Sequence, residues 1–393
     1  MLEHVPVFPG DPILTVNEAF RRDTRPFKVN LSIGVYLDEE GNVPVMQSVH
    51  IVERRIAAEA RPRPYLPMEG LAAMRQVTGE LLFGSDSQVM AEGRVATVQT
   101  VGSSGALRLA AEFIAVWLPG YKAAVSSPTW ENHRAIFNAC GVEVVQYPYY
   151  DPATKALAFD DMLQGLEHLP QCTAVVLHAC CHNPTGVDLN ESQWDAVIDL
   201  LVRRKLLPII DFAYQGYGRG IEEDAYAVRR LADSGLTFMV ANSFSKNMSV
   251  YGERAGALSV VLEPACVDNV LGQMQSLVRR LWSNPPAHAA YIVADILTSE
   301  DLSALWRKEV NAMRSRILGA RQLLFSHLGS SEKYRYLLNQ VGMFSYTGLR
   351  LDQVEQLKEQ YGIYLVPSGR ICVASLNAAN MPYVAEALKS VDN

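Results

Sequence analysis

Lys246, closing the string Asn242-Ser243-Phe244-Ser245-Lys246, is the residue whose setting most suggests covalent chemistry. A lysine in a mixed apolar and polar environment can condense with an aldehyde to a Schiff base. Gly102-Ser103-Ser104-Gly105 lies between an apolar run and an amphipathic one. If it opens a helix there, its N–H groups, hydroxyls and helix dipole form a cradle for a phosphate. Arg254, eight residues after Lys246, could add a bidentate contact to the same phosphate. Asp211 could pair with a protonated ring nitrogen, Trp130 could stack on a ring, and Tyr214 and Asn183 could hydrogen-bond a ring oxygen. Aldehyde, phosphate, basic ring nitrogen and phenolic oxygen together describe pyridoxal phosphate.

Each residue alone has a plainer explanation. A strand-terminal aspartate often caps a helix or forms a turn, a single tryptophan more often packs, and Asn183-Pro184 most simply makes a turn. Rival motifs lack their partners. Ser243-x-x-Lys246 fits the SxxK of penicillin-binding enzymes, but no SDN or KTG occurs in the chain. Ala106 stands where GxSxG needs its last glycine, and Gly216-Tyr217-Gly218-Arg219-Gly220 does not satisfy GxGxxG. His178, Cys180, Cys181 and His182 carry metal-ligand chemistry. Alternation along a strand would point them to opposite faces, so buried thiols at a strand end are expected and no metal site.

These residues follow short apolar runs that read as buried strands: 95–101, 123–127, 142–147, 173–178, 207–211, 237–241 and 257–262. Amphipathic stretches at 106–118, 130–139, 160–169, 191–204 and 222–234 alternate with them. That alternation predicts an α/β fold with a mostly parallel seven-stranded sheet and helices on both faces. In such sheets ligands sit beyond the carboxyl ends of the strands, where five of these runs end in polar or aromatic groups. A long helical pattern at 301–328, with Ser299 as its cap, is long enough to bridge two domains. Residues 334–393 read as α+β. The opening segment, with Pro6, Pro9, Pro12 and Pro26, reads as extended and turn-rich. The expected division is a large cofactor-binding domain at 44–312 and a smaller α+β domain built from 1–43 and 313–393.

Composition excludes other classes. The 393 residues are 49% hydrophobic and 20% charged, with a net charge of −7, which offers nucleic acid no general electrostatic footprint. No basic-then-apolar leader and no run of spanning length is visible, so a cytoplasmic protein without a membrane partner is expected. The six cysteines show no CxxC spacing, as expected of thiols kept reduced.

The strings SFSKN, YGERAGALS, DFAYQGYG, CCHNPTG, PTWENH, YLPMEGL and SNPPAH resemble the class I, fold-type I aminotransferases. The likeness runs from Asp11-Pro12-Ile13-Leu14 to Ser368-Gly369-Arg370, and within the family it leans toward the bacterial enzymes for aromatic amino acids. It implies that Lys246 holds pyridoxal 5′-phosphate and, once displaced by substrate, moves the proton. Asp211 would keep the ring nitrogen protonated, with His133 behind it. Tyr214 and Asn183 would address the ring oxygen, and Trp130 would stack on the ring. Ser103, Ser104, Ser243 and Arg254 would take the phosphate, joined by Tyr65 from a second subunit. The resemblance therefore implies a homodimer with shared active sites. Gly34, Trp130 and Asn183 would line the substrate site, with Arg370 on the α-carboxylate and Arg279 on a distal carboxylate across the interface.

The resemblance thus implies ping-pong transfer of the amino group between tyrosine or phenylalanine and 2-oxoglutarate, with aspartate as the alternative amino donor. Leu37 and Val43 stand where aspartate-specific relatives tend to have lysine and threonine, and apolar residues there favour an aromatic side chain. Asn284 is as much a feature of the aspartate enzymes, and Ser32 and Ser103 occupy positions where glycine is frequent. A non-catalytic sensor of the same fold would carry an added DNA-binding module, and no basic helix-turn-helix pattern is present.

Overall fold

A computed structural model describes residues 2–7, 10–60 and 62–392. By internal contacts the chain divides into a larger unit, Pro44–Asn183 with Val187–Ser315, and a smaller one, Met1–Val43, Pro184–Gly186 and Arg316–Asn393.

The larger unit is built on a sheet of seven strands: β1 Val95–Val101, β2 Lys122–Ser127, β3 Val144–Pro148, β4 Thr173–His178, β5 Leu207–Phe212, β6 Phe238–Ser243 and β7 Ala255–Val261. Their spatial order is β1-β7-β6-β5-β4-β2-β3. β7 runs antiparallel to β1 and β6, and the other pairings are parallel. β4, β5, β6 and β7 are buried along their whole length, which explains their unbroken apolar runs. The connecting helices are α1 Gly102–Trp117, α2 Glu131–Ala139, α3 Phe159–Glu167, α4 Glu191–Arg204 and α5 Tyr226–Asp233, followed by α6 Val267–Leu281 and α7 Glu300–His327. α4 opens on a capping box between Asn190 and Gln193. Ser299 Oγ accepts from the Leu302 amide at the start of α7. The division between the units falls within α7, between Ser315 and Arg316.

Two expectations need correction. β3 begins at Val144 rather than 142, because Gly141 at φ +76° turns the chain and the Val142 amide still donates back to Phe137. The opening segment is not extended throughout, since Pro12–Arg22 is a helix. Pro12 sits where a missing N–H costs nothing, and the Asp11 side chain accepts from the amides of Ile13 and Leu14. Pro9 lies outside the described residues.

The smaller unit closes around Leu31, Leu324, Leu357, Ile371, Val384 and Leu388. Val29–Asn30 pairs in parallel with Ile363–Tyr364, and β8 Phe344–Tyr346 pairs antiparallel with β9 Arg370–Cys372. Arg25 donates to the carbonyls of Lys358 and Glu359 at the end of helix Leu351–Tyr361, which ties the first residues to the last hundred. No helix among the described residues is long and apolar enough to cross a membrane.

Candidate active site

Parallel strands end on one edge of a sheet, and the register of this sheet decides which side chains meet there. His178, the last residue of β4, lies directly opposite Asp211 near the end of β5. Asp211 in turn faces Ala241 in β6. His133 enters from α2, one turn past Thr129, and is fully buried. Its Nε2 lies 3.0 Å from Asp211 Oδ2 and its Nδ1 2.8 Å from Thr129 Oγ1. An ionised carboxylate only accepts, so Nε2 carries the proton toward Asp211. In the neutral ring Nδ1 then accepts from the Thr129 hydroxyl.

Burial alone would raise the Asp211 pKa. The hydrogen bond from His133, with electrostatic contributions from His133, His178 and Lys246, outweighs it, and the carboxyl is held below its usual range. Burial and the neighbouring His133 push His178 down to about 3, so it stands neutral at physiological pH. Asp211 Oδ1 is buried and has no hydrogen-bond partner among the described residues. An ionised oxygen left this way inside a protein suits a cationic N–H donor, as a protonated pyridine ring would supply. Ligand atoms of His133, His178 and Asp211 lie within 4.8 Å of one another. β4 ends at His178, and the turn beyond it brings the His178 and His182 rings to 4.6 Å.

Lys246 follows β6 on a turn, half-buried, with Nζ 4.8 Å from the centre of the buried Tyr214 ring. Its carbonyl accepts from the Tyr217 hydroxyl at 2.8 Å, and Trp306 Nε1 donates to the next carbonyl, Asn247, at 2.7 Å. These anchors hold the backbone that aims the amine. Trp130 precedes α2, its ring edge-on to His133 at 5.4 Å. Asn183 is buried just beyond the turn whose Cys181 and His182 amides are held by Asp188.

The candidate anion cradle lies where three chain segments meet. α1 opens on Gly102 at φ +72°, followed by Ser103 and Ser104. Arg254 lies in the left-handed region, with Nη1 3.2 Å from Ser245 Oγ and Nη2 3.4 Å from the Val101 carbonyl. Ser245 Oγ is 3.1 Å from Ser243 Oγ, so Ser245 joins two residues singled out in the sequence. A Cβ on Gly102 would lie 2.6 Å from Arg254 Nη2. One on Gly256 would lie 2.7 Å from the Gly102 carbonyl carbon. Gly102→Ala is therefore expected to weaken retention of a phosphate-bearing cofactor by about tenfold or more, measured by equilibrium dialysis, with circular dichroism unchanged.

Sequence reading passed over Thr129, Ser245, Tyr217, Trp306 and Gly256. The PTW and SFSK strings already contain the first two.

Tyr65 and Arg279 lie apart from this cluster. Tyr65 is 91% exposed, on a cleft of about 620 Å³ shared with Leu66, Trp282, Asn284, Pro285 and His288. Asn284 Nδ2 donates to the Leu66 carbonyl at 2.6 Å, which fixes the SNPP loop beside Tyr65. Arg279 is exposed in the last turn of α6 and donates to Ser283. A second cleft of about 690 Å³ is lined by Glu80, Asp86, Asp233 and Glu222. Its Arg229 and Arg307 are both paired with Glu222, so it lacks the groups described above.

The family described as aminotransferase class I and II matches residues 26–388. The chain belongs to the class I and II aminotransferases. It is 51% identical over 396 residues to the aromatic-amino-acid aminotransferase of Escherichia coli K12, covering 100% of both chains. To the aspartate aminotransferase of Pseudomonas aeruginosa it is 49% identical over 392 residues, covering 98% of each. The structure of the aromatic-amino-acid aminotransferase of Burkholderia pseudomallei, covalently bound to pyridoxal phosphate, superposes with a TM-score of 0.97. That match has 46% identity and covers 100% of this chain and 99% of the other. As a member of this family the protein is an enzyme that transfers amino groups.

In the smaller unit, Arg370 leads β9 and Gly34 lies beside Phe344. Arg370 is 3% exposed, with Nη2 donating to the Ser32 carbonyl at 2.7 Å and its guanidinium 4.3 Å from the Phe344 ring centre. Leu37 is half-buried and Val43 exposed in the same unit.

Proposed function

We infer that this chain is an aromatic-amino-acid aminotransferase using pyridoxal 5′-phosphate, moving amino groups between tyrosine or phenylalanine and 2-oxoglutarate. The observation that carries the cofactor is Asp211 Oδ1, ionised, buried and without a hydrogen-bond partner among the described residues, while Oδ2 is held by His133. When bound, the cofactor supplies a carbonyl for amines and a protonated ring that draws electrons from the substrate carbon.

Each residue has a task that follows from its position. Lys246 Nζ would hold the cofactor and, once released, take the proton from the substrate Cα. Asp211 Oδ1 would keep a proton on the ring nitrogen, with the charge fixed by His133. Trp130 would cover the ring and exclude water, while Tyr214 and Asn183 donate to its oxygen. Ser103, Ser104, Ser243, Ser245 and Arg254 would hold the phosphate. Arg370 would take the α-carboxylate near Gly34, and Arg279 a distal one.

The enzyme would be a homodimer in which Tyr65 and Arg279 serve the partner's site. An almost fully exposed tyrosine on an apolar cleft supports this, since such surface is usually covered by something. Six free thiols fit a cytoplasmic protein.

Leu37 and Val43 support the aromatic reading, while the nearly equal similarity to an aspartate enzyme, together with Asn284, keeps aspartate as the rival donor. The ratio of kcat/KM decides. Tyrosine and phenylalanine are expected to exceed aspartate by at least about tenfold, the worth of one buried aromatic side chain. A preference of that size for aspartate would make this an aspartate aminotransferase.

A further inference from the structure

In the smaller unit, Arg321 from α7 is 1% exposed, a rare place for a guanidinium. It donates to the carbonyls of Leu337 (3.4 Å), Val341 (3.2 Å), Gly342 (2.8 Å) and Phe344 (2.5 Å), and to Ser345 Oγ (2.6 Å). Burying a charge this way is costly unless it is hydrogen-bonded, and Nη1 and Nη2 between them meet these five acceptors. What it holds is the entry to β8.

β8 is the strand that positions Arg370. Tyr346 is the backbone partner of Arg370, and Phe344 that of Cys372. The Phe344 ring lies against the Arg370 guanidinium at 4.3 Å. Gly34 makes room for that ring, since a Cβ there would lie 2.9 Å from Phe344 Cζ. The same loop seats the turn after Asn183. The Val341 amide donates to the Gly186 carbonyl at 2.7 Å, and a Cβ on Gly186 would lie 2.5 Å from the Phe344 carbonyl oxygen.

We propose that Arg321 is a positioning residue for substrate recognition: by gathering the carbonyls of Val341, Gly342 and Phe344 it fixes the Phe344 ring, and with it the angle of the Arg370 guanidinium. This rests on the reading of Arg370 as the carboxylate-binding arginine. A planar fork with fixed donors suits the task, whereas a lysine ammonium is a point charge that cannot span these acceptors.

The test uses the holoenzyme and 3-phenylpropionate, an aromatic monocarboxylate with no amino group, whose binding is followed by the visible spectrum. Arg321→Lys is expected to weaken 3-phenylpropionate by about tenfold and to raise the tyrosine KM in parallel. Cofactor retention stays put, and kcat at saturation falls far less than kcat/KM. A merely structural role would lower the melting temperature and cofactor retention without that split. Phe344→Leu is expected to weaken the ligand by about threefold or more, and in the Arg321→Lys background to add little.

Wild-type affinity in a folded Arg321→Lys enzyme, or effects that simply multiply in the double variant, would overturn the proposal. If Arg321→Lys does not fold, Ser345→Ala removes one acceptor and should still weaken the ligand by about twofold or more; unchanged affinity there overturns it equally. Arg370→Lys separates the two claims. Intact affinity in that variant defeats the reading of Arg370 itself. Affinity lost in Arg370→Lys but kept in Arg321→Lys defeats only the role of Arg321.

Discussion

Replacing Lys246 with alanine is expected to lower kcat for tyrosine and 2-oxoglutarate by at least about 10⁴-fold, because in the proposed mechanism one amine serves as both covalent anchor and proton carrier. The loss should be in chemistry, with little loss of binding. The residues proposed to hold the phosphate, Ser103, Ser104, Ser243, Ser245 and Arg254, remain, so pyridoxal phosphate should still bind, though more readily lost on dialysis. Single-turnover absorbance checks this: the variant should take up the cofactor but form no 2-oxo acid on the timescale of the native enzyme. Turnover within about tenfold of native would mean that another base does the work. Tyr217 and Trp306 anchor the backbone around Lys246 through the carbonyls of Lys246 and Asn247, so their loss should misplace the amine without removing it.

The second large effect belongs to Asp211. Asp211→Asn keeps the shape and leaves an acceptor for His133 but removes the charge, and a neutral amide cannot keep a proton on a ring nitrogen. kcat is expected to fall by about 10³-fold, with the tyrosine KM changed much less. The carboxyl is held below its usual range, so its stabilising charge is present above the unfolded value near 4. It is lost only as pH falls through the lower folded value. Asp211 should therefore add no acidic limb to the rate profile near neutrality. An Asp211→Asn enzyme as active as native would remove the electron-withdrawing ring from the account.

How much of this was legible in the sequence depends on range. The large sheet was, because a strand covered on both faces must be apolar throughout, and such runs stand out wherever Asp211 or Asn242 interrupts them. α4 was legible to the residue, from Glu191 to Arg204, because its apolar positions keep the helical period. The helix at Pro12–Arg22 was missed because proline was read as a breaker where it stands at a helix start. The partners of Asp211 were only half legible. His133 entered by resemblance, but His178 meets Asp211 through the register of β4 on β5, which no local pattern encodes. Ser245 and Gly256 depend in the same way on where β6, β7 and α1 converge. Arg321 is the extreme case, an arginine at a polar-looking helix position whose acceptors lie 16 to 24 residues away.

The central claim is that Lys246, set against the Asp211–His133 pair, makes this fold a pyridoxal-phosphate aminotransferase for aromatic amino acids. The most direct test is the visible absorption spectrum of the protein reconstituted with pyridoxal phosphate, titrated first with tyrosine and then with 2-oxoglutarate. The account predicts a visible band that is bleached by tyrosine with one equivalent of 2-oxo acid released per site, and restored by 2-oxoglutarate. A protein that stays colourless after reconstitution, or a band indifferent to tyrosine, would contradict it.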